Sequence, residues 1–486
     1  MFSETPDIIP FTSPIKFGVL SQRELATVKE KTKLLLSEVG VRFPSPKALK
    51  IFAEHGARVD LETEIVRIPP ELVDKGMSTA PRSFTLGGRE QRFDLLLDGS
   101  CSYLSTDGTG VHVIDLETRE KRPSCKEDVA MMARVIDALP LVSFYWPMVS
   151  AQDFGQTASL HQSHAGLTNT LKHVRGGTTM HPRLAQYVVE MAAVVAGKDE
   201  VLKQRSPICA NICTISPLGH DKEGIESALV YAAAGIPISF MAMPTMGSTA
   251  PATPLGALVM GDAEVISAMV LMQLAYPGTP VFHAIFTSLI DPRTGGYISE
   301  VPTASYLMAK QLAHAWQVPC LGGARVSGDA PGLGWQSGFE VGLGAAMTAI
   351  GGGEICGLMG LVGSAMTLYP EEVILDHDAY SHIYKMLGEI NMNEIDISLD
   401  VIRAVGQRGH FLGQKHTRDQ IREFHISDLR DQVQSDGHSQ GAREAALEKF
   451  KQIEASHNPK PLAEEILAEL NKILEAAEGE AEKIYR

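Results

Sequence analysis

Cysteine is scarce in this chain, with six in 486 residues at positions 101, 125, 209, 213, 320 and 356. That is too few for a disulfide framework, and a reducing cytoplasm is the expected setting. Cys209 and Cys213 fall inside PICANICTISP, which reads as strand. No second Cys/His pair stands nearby, so no metal site is expected. Long uninterrupted apolar runs are also missing: charges break the best candidate, GALVMGDAEVISAMVLMQLAYPG (256–278). The opening MFSETPDIIPF lacks the basic-then-apolar pattern of a secretory signal. Neither feature points to a membrane. Net charge is −15 and no basic stripe gathers, which argues against nucleic acid as a partner. Three chemical signatures are absent: GxGxxG, GxxxxGK[ST] and HExxH. Dinucleotide binding, nucleotide hydrolysis and zinc proteolysis lose their usual footing.

What is present is a rhythm of strand, loop and helix. Candidate strands are VSFYWPMVS (142–150), KHVRGGTTMH (172–181), PICANICTISP (207–217), PISFMAMPTMGS (237–248), PVFHAIFTSL (280–289), PCLGGARVSGD (319–329) and EICGLMGLVGS (354–364). Helices are expected between them, most clearly over 184–197, 221–235, 256–278 and 303–317. Three of these run into Gly-Ile-Pro, Gly-Thr-Pro or Gln-Val-Pro, a helix stop followed at once by a strand. The pattern predicts an α/β protein whose core is a (β/α)8 TIM barrel, with DISLDVIRAV (396–405) as a weak candidate for the eighth strand. An open doubly wound sheet is the alternative fold. Residues 1–125 read as a helical and β-rich N-terminal cap, 126–420 as the barrel, and 421–486 as an acidic, helical C-terminal extension. In the last segment Leu462, Ile466, Leu470, Ile473 and Ala477 share one helix face. That face suits packing on its own domain or on a twin subunit, so a homo-oligomer is one expectation.

The candidate site lies where strands end. VFHAIFTSLIDPRTGG (281–296) runs from an apolar strand into Ser288, Asp291 and Arg293, and LGGARVSGDAPGLGWQSGFE (321–340) repeats the arrangement. Aromatic residues are few, at 6% of the chain, yet Phe144, Tyr145, Trp146, Phe286, Trp335 and Tyr369 fall near strand ends, with His283 among them. A barrel gathers such ends at one mouth, where a partial aromatic box could hold a quaternary ammonium group. Arg325, in a Gly-rich run close to Asp329, and Arg293 are candidates for holding a substrate carboxylate; each could instead close a structural ion pair. Gln336 and Glu340 follow on the start of a helix. Asp436, His438 and Gly441 spell DxHxxG, the pattern by which cobalamin domains offer a His to cobalt. Only 45 residues follow Gly441, all acidic and helix-like, too short for the sheet such a domain needs.

Several segments together resemble the trimethylamine methyltransferase superfamily: NICTISPLGHDK (211–222), FTSLIDPRTGG (286–296), the stretch 327–340, EEVILDHD (371–378) and LDVIRAVGQRGHFLGQKHT (399–417). The resemblance implies a (β/α)8 barrel that moves a methyl group from a methylated amine to the Co(I) of a separate corrinoid protein. It implies no tightly bound cofactor, since the cobalamin arrives with the partner. Archaeal trimethylamine enzymes of that family use pyrrolysine, and this chain contains only standard residues. Relatives without pyrrolysine are associated with quaternary amines such as glycine betaine, carnitine or proline betaine. The expected substrate-binding set is therefore Trp146, His283, Phe286, Arg293, Arg325, Asp329, Trp335, Gln336 and Glu340. A tertiary-amine donor with the same mechanism, or a barrel that binds a betaine without turnover, are the alternatives. The chain departs from the family at Gly328-Asp329-Ala330-Pro331-Gly332, where Ser-Lys-x-Pro-Asp is common. It departs again at His283, where a Tyr is frequent.

Overall fold

A computed structural model describes residues 3–485 except 14, 16, 177–180, 299–303, 323–328, 388–396, 422–426, 428, 430, 431 and 434–438. Seven parallel strands form one sheet: β1 (Tyr103–Thr106), β2 (Val142–Tyr145), β3 (His173–Arg175), β4 (Ile208–Cys213), β5 (Ile238–Ala242), β6 (Val281–Ile285) and β7 (Ile355–Met359). Neighbours follow chain order from β1 to β6, and β7 pairs with β1. The two edges, β6 and β7, are joined through Cys320 and Leu321, which bridge His283 and Ile355 respectively. Backbone bonds from Leu321 N to His283 O (2.9 Å) and from Gly322 N to Ile355 O (2.9 Å) complete the ring. This is a closed barrel of eight positions, the (β/α)8 fold that the sequence pattern predicts. The strand beyond the seven expected is Tyr103–Thr106, from within the segment read as cap. DISLDVIRAV does not supply it, because its described part is helical at Leu399–Val405.

Helices used below are α1 (Gln22–Glu38), α2 (Pro70–Ser78), α3 (Ala158–Asn169), α4 (Pro182–Ala196), α5 (Pro254–Ala275), α6 (Ala304–Ala315), α7 (Trp335–Gly351) and α8 (Glu464–Ile484). α1 starts at a capping box in which Ser21 and Glu24 satisfy each other's exposed backbone N–H groups. It ends before Gly40, whose φ is +84° and where a Cβ would sit 2.5 Å from the Val66 carbonyl oxygen, leaving no room for a side chain. α5 is apolar on every side, and its 22 residues have the length and hydropathy of a membrane span. In the structure it is sandwiched between α1 and α2 outside and β5 and β6 inside, so each face meets protein.

Two concentric cores result. Strand residues of one parity face the helices: Val174, Ile212, Phe240, Val281 and Ile285 join that outer core. Residues of the other parity face the lumen, where Tyr103, Phe144, Trp146, Cys209, Met241, Phe282, Ala284, Leu321 and Leu358 pack together. Leu86, Leu95 and Leu97, from a hairpin of the first 125 residues, close the floor of the lumen. The C-terminal helix α8 lies on α3 and α4 of its own chain, burying Leu470, Ile473, Leu474, Ala477 and Ala481. His161 and His164 on α3 bond Glu478 (2.8 Å) and Asn471 (3.0 Å) of that helix. They are packing contacts between helices.

Candidate active site

Carboxyl ends of the strands converge on one mouth, and the sequence-predicted residues divide sharply there. Trp146 directly follows β2 and is buried. Its backbone is fixed by Thr106, whose Oγ1 accepts from Trp146 N (2.8 Å) and donates to Trp146 O (2.7 Å). The indole edge lies so close to Gly108 that a Cβ there would sit 2.5 Å from Trp146 Cδ1. Over the indole face, at 3.4 Å from the ring centroid, lies the guanidinium of Arg175 at the end of β3. A cation of the protein itself thus occupies the face on which a substrate ammonium was expected. Phe286 continues the inward parity of Phe282 and Ala284, and its ring is 6.5 Å from that of Tyr306 on α6. Trp146 and Phe286 both belong to the lumen cluster.

His283 is a correction. Its parity on β6 is opposite to that of Phe282 and Ala284, so it faces the helical layer. It is 1% exposed, and its Nε2 lies 2.8 Å from Asp262 Oδ1 on α5. The same carboxylate accepts from Thr32 Oγ1 (2.6 Å) and Trp316 Nε1 (3.1 Å). His283 belongs to a buried strut joining α1, α5 and β6, away from the lumen. Tyr145 likewise turns outward and donates to the Val129 carbonyl at 2.8 Å.

The remaining candidates sit in the loops that follow the strands and on the start of α7. Arg293 is 84% exposed and forms a bidentate pair with Asp291, both contacts 3.0 Å, which is the structural alternative weighed for it. That arginine holds the Asp291 carboxyl below its usual range. Asp329 accepts from Ser364 Oγ at 2.9 Å. Glu340 is buried and takes Gln336 Nε2 at 2.8 Å and Ala330 N at 3.3 Å, so this pair braces the start of α7. Trp335 is 83% exposed and stacks on Phe339 with centroids 5.5 Å apart. It stands outside the lumen as a surface aromatic pair. Arg325 and His438 lie outside the described residues.

Comparison with known proteins decides the family. The description "Trimethylamine methyltransferase (MTTB)" matches residues 8–480. The chain belongs to the trimethylamine methyltransferase family. It is 31% identical to trimethylamine methyltransferase MttB of Desulfitobacterium hafniense (strain DSM 10664 / DCB-2), over 96% of this chain and 95% of that one. It is 27% identical to the glycine betaine methyltransferase of D. hafniense (strain Y51), over 94% and 97%. Among solved structures, the monomethylamine methyltransferase MtmB of Methanosarcina barkeri aligns with a TM-score of 0.45 at 13% identity, covering 97% of this chain and 96% of that one.

Sequence reasoning missed Arg175. The signal was in KHVRGG, where a charge stands in a strand that has to be buried on both faces. Burial pulls its guanidinium down to about 10, still charged at neutral pH. The same burial drives the neighbouring Cys209 thiol up to about 12, which keeps it protonated and inert. At the opposite end of the barrel, His314, Cys320 and Glu354 bring their ligand atoms within 4.8 Å of one another. Cys320 and Glu354 push His314 up to about 10. His314 Nε2 lies 3.1 Å from Glu354 Oε1, and Glu354 also takes the Cys320 backbone N–H at 2.9 Å.

Proposed function

We propose that this methyltransferase takes its methyl group from a betaine-like quaternary amine and delivers it to the Co(I) of a separate corrinoid protein. One observation carries the reading: family membership runs the length of the chain, yet the chain is built of standard residues alone. A tertiary amine must be protonated or covalently activated before its methyl can leave. A quaternary nitrogen already carries its leaving group. The methyl carbon then takes the electron pair of the cobalt, the C–N pair returns to nitrogen, and a neutral tertiary amine departs without any proton transfer. What the protein has to supply is orientation, exclusion of water and a place for the cation. The lumen aromatics Phe144, Phe282 and Phe286 support this, as ring faces attract a cation without a carboxylate that would over-stabilise the ground state. Exposed apolar side chains Ile215, Met243 and Met366 in loops that follow strands, with Trp335 and Phe339 on the first turns of α7, suit a protein docked over the mouth. The betaine relative supports the substrate class. The six free cysteines fit a reducing compartment.

The test is direct. Purified protein, a Co(I) corrinoid and glycine betaine, under strict reduction, should yield dimethylglycine and methylated corrinoid. Reaction with trimethylamine but with no quaternary amine would sink the reading.

A further inference from the structure

Arg175 is wholly buried, and its Nε, Nη1 and Nη2 all lack a hydrogen-bond partner among the described residues. Its contact with the Trp146 ring offsets part of the charge and uses no N–H. Two other buried charges are matched: Lys172 Nζ donates to three carbonyl oxygens at 2.6–2.8 Å, and Asp262 accepts from three side chains, whereas Lys310 Nζ also lacks a hydrogen-bond partner among the described residues. Arg175 does not stand alone in want of a partner. On the next strand Asn211 Oδ1 is buried and unbonded, and on the strand after that so is Ser239 Oγ. Arg175 is in register with Cys209, and Asn211 with Ser239. All four share the lumen-facing parity. The Asn211 amide has the same shape either way round and, reversed, presents its NH2. Three neighbouring strands therefore offer a planar fork of donors with an amide and a hydroxyl beside it, inside the barrel. That donor set fits a flat anion with two equivalent oxygens.

We infer that Arg175 binds the carboxylate of the methyl donor and makes this barrel selective for carboxylated quaternary amines over uncharged-tail analogues such as choline. The inference rests on the reading that the donor is a quaternary amine, and adds what that reading leaves open. The carboxylate supplies the partner Arg175 lacks and cancels its charge, so a trimethylammonium group can enter a lumen that already holds a cation.

Equilibrium binding to the full chain, without any corrinoid, tests it. Glycine betaine, carnitine and proline betaine form one arm, choline and tetramethylammonium the other. The wild-type protein should bind at least one member of the first arm roughly 100-fold more tightly than either of the second. Arg175→Gln should lose that advantage while its affinity for tetramethylammonium rises or holds, because the like charge in the lumen is gone. Arg175→Lys, which keeps the charge without the fork, should fall between. If Arg175→Gln fails to fold, discrimination by the wild-type chain and the Arg175→Lys variant still decide the matter. Equal binding of choline and betaine by the wild type, no binding of any betaine, or betaine affinity unchanged in Arg175→Gln each overturns the inference. The two readings fail separately. Arg175-dependent betaine binding without methyl transfer to cobalt sinks only the reaction, and methyl transfer from choline as readily as from betaine sinks only the role of Arg175.

Discussion

Replacing His283 with Phe separates a structural from a substrate role at one position. The substitution keeps a ring of similar size in a 1% exposed site and removes the donor to Asp262, now 2.8 Å away. Asp262 is fully buried, and Thr32 and Trp316 still serve it in the variant. The loss is therefore one hydrogen bond to a charged acceptor, about 1.5–3 kcal/mol. It is smaller than the ~3–5 kcal/mol expected when a buried charge is left with no partner. Asp262→Ala, which strands three donors at once, should cost more than His283→Phe. Urea titration measures both, as the midpoint shift at unchanged slope. Because His283 points away from the lumen, betaine affinity in His283→Phe should stay within about twofold of wild type, as for independent sites. A variant of wild-type stability with betaine affinity changed more than tenfold would refute the assignment and return His283 to the pocket.

Four other outcomes are expected. Phe282→Ala, at a fully buried lumen position, should destabilise by about 3–5 kcal/mol in the same titration. His314→Gln should be less stable than wild type at acid pH, and the gap should close with rising pH. The folded-state pKa of His314 is raised to about 10, so its contribution is complete below the ordinary imidazole value of about 6.5 and disappears as pH climbs through 10. A gap that widens on the alkaline side would contradict the ion pair with Glu354. On α8, Leu470→Ala at a fully buried position should cost about 2–5 kcal/mol. Glu480→Gln should cost under about 1 kcal/mol, because its partner Arg183 is 68% exposed.

Much of the barrel was legible because its strands and helices obey strong local rules. Apolar runs closed by Gly or Pro mark six of the seven strands. Tyr103–Thr106 escaped because it is four residues long and embedded among hairpins, with Gly-rich turns on its flank. Nothing local distinguishes a short strand that pairs in the barrel from one that pairs with its hairpin neighbour. Its place is set by parallel pairing with Val142–Tyr145 and Ile355–Met359, about 40 and 250 residues away along the chain.

The site was less legible for a different physical reason. In a sheet with one wet face, alternation of apolar and polar residues says which side chains point where. A barrel strand is buried on both faces, so composition no longer orients it. VFHAIF shows the consequence: His283 is the polar residue in the run, which invites a functional role, yet polarity here satisfies a carboxylate in the outer core. Parity still constrains the choice. Residues 283 and 286 are an odd number of positions apart, so along a regular strand they face opposite sides and could not both line the lumen. Once Phe282 and Phe286 are placed inside, His283 belongs outside. The same parity, applied to HVR, puts Val174 against α3 and turns Arg175 inward. A charge on the inner face of a closed barrel has no helix to answer it. That makes Arg175, the residue that strand composition gave least reason to choose, the one whose geometry most requires a ligand.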